Sequence, residues 1–152
     1  MPVTVRREGV TQPARPVSSA ARALLRHLGL PNAELSVLLC DDPFIQTLNA
    51  TWRQKDEPTD VLSFAMGEGE DAGLNEDLLG DVVISVDTAA RQAETEGHTL
   101  EAELRVLLVH GVLHLCGYDH IEPDDAVEMR AKEAECLAAL GGGRGLVARA
   151  GS

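Results

Sequence analysis

His110-Gly111-Val112-Leu113-His114-Leu115-Cys116-Gly117-Tyr118-Asp119-His120 is the stretch on which the reading of this chain turns. Upstream of it, Thr99 can cap a helix, and Leu100, Leu104, Leu107, Leu108 and Leu115 lie on or beside one apolar stripe. The pattern predicts a long helix in the core. His110 and His114, four residues apart on it, project from one face about one turn apart. Gly117 lets the helix end in a left-handed turn, which can swing His120 back toward the same point.

Three of the chain's five histidines are gathered in this run. A single histidine on an apolar helix is usually a packed core residue. Three unpartnered imidazoles would cost stability there, whereas one metal ion satisfies them together. His110, His114 and His120 are therefore the candidate metal ligands. Three imidazoles leave a fourth position open, the arrangement of a catalytic zinc site; nickel, copper or iron also suit such a set. The offsets of +4 and +10, with glycine at +7, equal those of the metzincin signature H-E-x-x-H-x-x-G-x-x-H. Gly111 stands where that signature has its general-base glutamate, so a protease mechanism of that kind loses its proton acceptor. Asp119 can orient a histidine, accept a proton or cap the turn after Gly117, and is not placed in the catalytic set. His27 and His98 read as surface residues near helix ends.

Outward from the histidines, the chain reads as one domain over residues 1–140, followed by a glycine-rich tail over 141–152. Val3–Arg6, Glu34–Cys40, Val61–Phe64 and Asp81–Val86 read as strands. Helices are expected from Ser18 or Ser19 to about Leu28, from a cap at Asp42 through Trp52, from a cap at Asp87 to Glu96, and from Pro123 to about Leu140. The expected fold is α/β (or α+β): a small mixed sheet of about four strands packed with about five helices, the histidine helix in the core. An acidic loop with Gly67, Gly69 and Gly73 separates the last two strands.

No apolar run approaches the ~20 residues that span a membrane, and the start, Met-Pro-Val-Thr-Val-Arg-Arg, lacks the hydrophobic stretch of a secretory signal. Three widely spaced cysteines do not describe a disulfide framework, which points to a reducing cytoplasm. Cys40 and Cys136 read as small apolar residues, and Cys116 is not needed as a ligand beside three histidines. Residues 1–30 carry five arginines (Arg6, Arg7, Arg15, Arg22, Arg26) against Glu8, while the whole chain has a net charge of −12. Such an acidic body argues against tight nonspecific nucleic-acid binding. A nucleic-acid substrate must meet a local basic surface or be delivered by a partner.

Two further stretches carry a resemblance. Asn49-Ala-Thr-Trp52-Arg53-Gln-Lys-Asp56-Glu-Pro-Thr59-Asp60-Val-Leu-Ser63-Phe64 and Gly80-Asp81-Val-Val-Ile-Ser, followed by the histidine run, resemble the YbeY family of bacterial rRNA maturation factors. Trp52 replaces the more usual tyrosine, and Ala65 stands where proline is common; neither change removes a charge or a ligand. The resemblance implies a single-strand-specific, metal-dependent endoribonuclease acting in 16S rRNA 3′-end maturation and small ribosomal subunit assembly and quality control. It also implies one Zn2+ on His110, His114 and His120, an active-site arginine at Arg53, and as partners rRNA and the small subunit with its proteins. Arg53 offers a planar fork for a phosphate; the alternative is a surface arginine paired with Asp56 or Asp60. Thr59, Asp60 and Ser63 are expected to shape the loop and strand start. Two other functions fit the residues: another metallohydrolase such as a peptidase, or a noncatalytic ribosome assembly factor with a metal-stabilised fold. The oligomeric state has no signal in the sequence.

Overall fold

A computed structural model of the chain describes residues 3–65, 78–118 and 122–140. The acidic glycine loop, Asp119, His120 and the tail over 141–152 lie outside the described residues. The elements run β1 (Val3–Glu8), α1 (Arg15–His27), β2 (Glu34–Cys40), α2 (Asp42–Arg53), β3 (Val61–Ala65), β4 (Leu78–Ser85), α3 (Val86–Glu96), α4 (Leu100–Leu115) and α5 (Pro123–Ala139). They form an α/β fold on a four-stranded mixed sheet ordered β1-β2-β4-β3. β1, β2 and β4 are parallel, and β3 closes one edge antiparallel to β4. Parallel neighbours need long crossovers, and α1 makes the one between β1 and β2.

Sheet strands covered on both faces read as nearly continuous apolar runs, which is how Leu35–Cys40 and Val82–Ile84 read. Leu35, Val37 and Leu39 of β2 with Val82 and Ile84 of β4 turn to the main core, where α1, α4 and α5 pack. Cys40 and Val83 turn the other way, joining Leu62 of β3 and Ile45 of α2 in a smaller cluster. α4 is the hub. Its residues from Ala102 to Leu113 are buried apart from Arg105 and His110, and it packs on α1, α3, α5, β3 and β4. A helix apolar nearly all round belongs in such a position.

Several boundaries differ from the sequence reading. β1 continues to Glu8. α1 starts at Arg15 with Pro16 in its first turn, leaving Ser18 and Ser19 inside the helix; proline's fixed φ and missing N–H suit that first turn. The cap of α2 is Asp41, whose carboxylate accepts from the Phe44 N–H at 3.0 Å. Asp42 is instead the first helical residue, and its carboxylate accepts from Ser85, Thr88 and Arg91 at 2.6, 2.7 and 2.7 Å. Ser85 rather than Asp87 caps α3, so Val86 is helical and β4 runs from Leu78 to Ser85. α4 begins as read, with Thr99 accepting from the Ala102 N–H.

Candidate metal centre

The last turns of α4 build the site. His110 and His114 are half-buried on one face, their rings edge to face with centroids 4.6 Å apart. Their Nε2 atoms lie 3.1 Å from each other. Two imidazole nitrogens at about 2.0–2.1 Å from one tetrahedral zinc ion stand roughly 3.3–3.4 Å apart, so this pair fits two corners of such a site. α4 then stops as Gly117 requires. Gly117 has φ 98°, its N–H donates to the His114 carbonyl, and the Tyr118 N–H donates to the Leu113 carbonyl, both at 3.0 Å. Those paired bonds are a Schellman ending. His120, two residues past Tyr118, lies outside the described residues, among which no group of three or more His, Cys, Asp or Glu could hold a metal ion.

Behind His110 stands a residue that the sequence reading missed. Glu133 of α5 is fully buried, with Oε1 3.4 Å from His110 Nδ1 and Oε2 without a hydrogen-bond partner among the described residues. A proton on Nδ1 facing that carboxylate leaves Nε2 as the lone-pair nitrogen, turned toward His114. The available signal was positional. Met129, Glu133, Cys136 and Leu137 are the buried residues of α5, so a glutamate occupies the core stripe of an amphipathic helix.

Gly111 is a contact as well as a missing base. A Cβ built there would lie 2.8 Å from Val82 Cγ1 and 3.2 Å from both Val82 Cγ2 and Ser63 Oγ. The position faces the sheet, and the space a glutamate would need is filled by β3 and β4. Ser63 Oγ also donates to the Gly111 carbonyl at 3.0 Å, tying β3 to the histidine helix.

Arg53, the last residue of α2, reaches that strand too. Its Nη2 donates to the Ser63 carbonyl at 2.8 Å, and its guanidinium carbon lies 4.7 Å from the centre of the Phe64 ring. Asp56 accepts from Gln46, and Asp60 accepts from the Val61 N–H and Gln92. Arg53, Ser63, Gly111 and His110 thus form a connected chain of side-chain and backbone contacts. Ser63 does more than begin a strand.

The remaining candidates separate from this site. His27 pairs with Glu135 at 2.6 Å, joining α1 to α5. His98 is not a simple surface residue: its side chain is 16% exposed and lies 2.6 Å from the fully buried Glu103. Cys40 and Cys136 are buried as expected, and burial pushes their thiols up to about 12 and about 11. For Cys40 the neighbouring carboxylates of Asp41, Asp42 and Asp87 add to that rise. Cys116 is exposed at the end of α4. Arg6, Arg7, Arg15 and Arg26 are exposed, and Arg22 is partly buried.

The profile of a family described as Endoribonuclease YbeY matches residues 7–141. The chain belongs to the endoribonuclease YbeY family. That family is one of hydrolases acting on RNA. The Endoribonuclease YbeY of Anaeromyxobacter dehalogenans is 55% identical over 128 residues, 84% of this chain and 65% of that protein. Those of Syntrophotalea carbinolica and Geobacter sulfurreducens are 51% and 48% identical over 82% and 88% of this chain, and 84% and 89% of their own. The chain therefore spans just under two thirds of the Anaeromyxobacter relative and most of the other two YbeY proteins. The solution structure of TM1509 from Thermotoga maritima has a TM-score of 0.65 and 27% identity, covering 90% of this chain and 89% of that one. No helix among the described residues is long and apolar enough to cross a membrane.

Proposed function

We propose that this chain is a zinc-dependent endoribonuclease that cuts single-stranded RNA, acting in the cytoplasm in 16S rRNA 3′-end maturation and in small-subunit assembly and quality control. The observation that carries the metal reading is the facing pair of Nε2 atoms on His110 and His114, 3.1 Å apart, with the buried Glu133 behind His110. The family membership supports RNA as the substrate.

His110, His114 and His120 would hold the ion, and Glu133 would orient His110 through Nδ1. Bound there, zinc supplies Lewis-acid stabilisation of charge developing on a phosphoryl oxygen. Arg53 presents a guanidinium fork that binds the phosphate and neutralises charge at its oxygens, held in place by the Ser63 carbonyl and the Phe64 ring. Gly111 supplies no base, and the substrate's own 2′-hydroxyl can serve as the nucleophile. A metzincin-type peptidase is disfavoured because Val82 and Ser63 occupy the room its glutamate would need.

The net charge of −12 favours delivery of the RNA by small-subunit proteins over tight binding by the enzyme alone. The test is cleavage of 16S rRNA precursor, free and within small-subunit particles, by the zinc-loaded protein beside His114→Ala and Arg53→Ala. Cleavage lost in both variants, with Arg53→Ala folded and metal-bound, supports the reading. Absence of cleavage in either substrate favours the noncatalytic assembly factor.

A further inference from the structure

The chain has four aromatic residues of the Phe, Tyr and Trp types, and its one tryptophan is, with Val127, one of the exposed large hydrophobic residues among the described residues. Trp52 is 60% exposed in the final turn of α2. A singly exposed apolar residue needs no explanation; the neighbours of this one do. Phe64 of β3 meets the Trp52 ring edge to face, with centroids 6.4 Å apart and planes at 71°. The Arg53 guanidinium lies against the same Phe64 ring. Consecutive helix residues normally point apart, yet here both side chains contact the Phe64 ring. That place is linked through the strand to Gly111, the neighbour of His110: Arg53 bonds the Ser63 carbonyl, while the Ser63 side chain turns to the opposite face of β3 from Phe64 and bonds the Gly111 carbonyl.

An aromatic surface beside a guanidinium is the equipment with which proteins hold unpaired bases: rings stack on the base faces, and the cation meets the phosphate between them. A duplex keeps its base faces stacked inside and offers this surface nothing. We propose that Trp52, supported by Phe64 and flanked by Arg53, is a base-stacking platform on the α2 side of β3 that holds a nucleotide of single-stranded RNA across that strand from the histidine helix. The proposal rests on the RNA reading above and adds to it a subsite that selects strands with unstacked bases. It also offsets the acidic body, since stacking gives affinity that does not depend on neutralising phosphates.

Trp52 is its own probe, because no other tryptophan contributes to the fluorescence. The titrant is a single-stranded 2′-O-methyl oligoribonucleotide of about eight nucleotides, within the usual site sizes for single-strand binding. A second titrant of equal length carries abasic sugars. The zinc-loaded full chain is compared with Trp52→Ala and Trp52→Tyr, each checked for an unchanged unfolding midpoint.

The platform predicts saturable quenching of Trp52 by the base-bearing strand and little by the abasic one. It predicts that Trp52→Ala weakens binding about 5- to 150-fold, the range of one base–aromatic stack, while Trp52→Tyr retains most of the affinity. Loss of the ring should leave the salt dependence of binding unchanged, because no phosphate contact is lost. Binding of the base-bearing strand at wild-type strength by Trp52→Ala would overturn the platform alone. If Trp52→Ala keeps that RNA affinity but loses affinity for small-subunit particles, the tryptophan is a protein-docking residue and the proposal is wrong. If the wild type neither binds nor cleaves RNA, the RNA reading falls and the platform with it.

Discussion

A methyl group added at Gly111 tests whether that glycine is there for packing. The Cβ of Gly111→Ala would stand 2.8 Å from Val82 Cγ1, against about 3.5–4.0 Å for a comfortable carbon contact. Overpacking of this kind costs about 1–3 kcal/mol. Alanine recovers about 0.8–1.0 kcal/mol through its better helix propensity, so the net loss is about 0–2 kcal/mol. The sign should change when Val82 is cut back. Val82→Ala alone costs at least about 1.6 kcal/mol for two buried methyl groups, plus a cavity term. In that background the Gly111→Ala methyl enters freed space, opposed only by Ser63 Oγ at 3.2 Å, and should stabilise by up to about 1 kcal/mol. The coupling between the two sites is then about 1–3 kcal/mol, within the range of contacting residues. Urea denaturation of the four proteins in chelator measures it without any metal contribution. Equal effects of Gly111→Ala in both backgrounds would refute the packing argument.

Three further outcomes follow from particular contacts. Glu133→Gln should weaken zinc binding by about 10- to 100-fold, the usual effect of losing the carboxylate behind a ligand histidine, and competition with a chromophoric chelator reads it directly. Asp42→Ala should cost about 1.5–3 kcal/mol at neutral pH, the scale of hydrogen bonds to a charged group. Burial pushes the Asp42 carboxyl up, but hydrogen bonds from Ser85, Thr88 and Arg91 outweigh it and hold the group below its ordinary 3.8. A depressed folded value means the contribution is complete above the unfolded value and is lost as pH falls through the folded one. The gap between wild type and Asp42→Ala should therefore be constant above about pH 5 and close at lower pH, as denaturation midpoints will show.

α4 was readable because an uninterrupted apolar pattern, a threonine cap and a terminating glycine all agree. The starts of α1, α2 and α3 were misplaced where two or more plausible starting residues lie close together. Asp41 and Asp42 can both cap from sequence alone. What separates them is that Ser85, Thr88 and Arg91, some 43–49 residues later, claim Asp42. Glu133 was missed because a glutamate in a helix normally reads as a solvent-facing residue, and its burial becomes visible only when α5 packs on α4. Gly111 was noticed for the side chain it lacks, while the strand that forbids one comes from elsewhere in the chain. Arg53 drew attention through family resemblance, and its route to the histidine helix runs through the Ser63 carbonyl, a backbone atom that no residue pattern reveals.

The central claim is that the histidine site and RNA cleavage are one device. The most direct measurement is cleavage of a single-stranded rRNA-precursor fragment by metal-stripped protein as zinc is added back stepwise, with His110→Ala carried in parallel. The account predicts no cleavage without metal, activity rising to saturation near one zinc per chain, and none from His110→Ala. Undiminished cleavage by the stripped protein in chelator, or wild-type rates from His110→Ala, would contradict it.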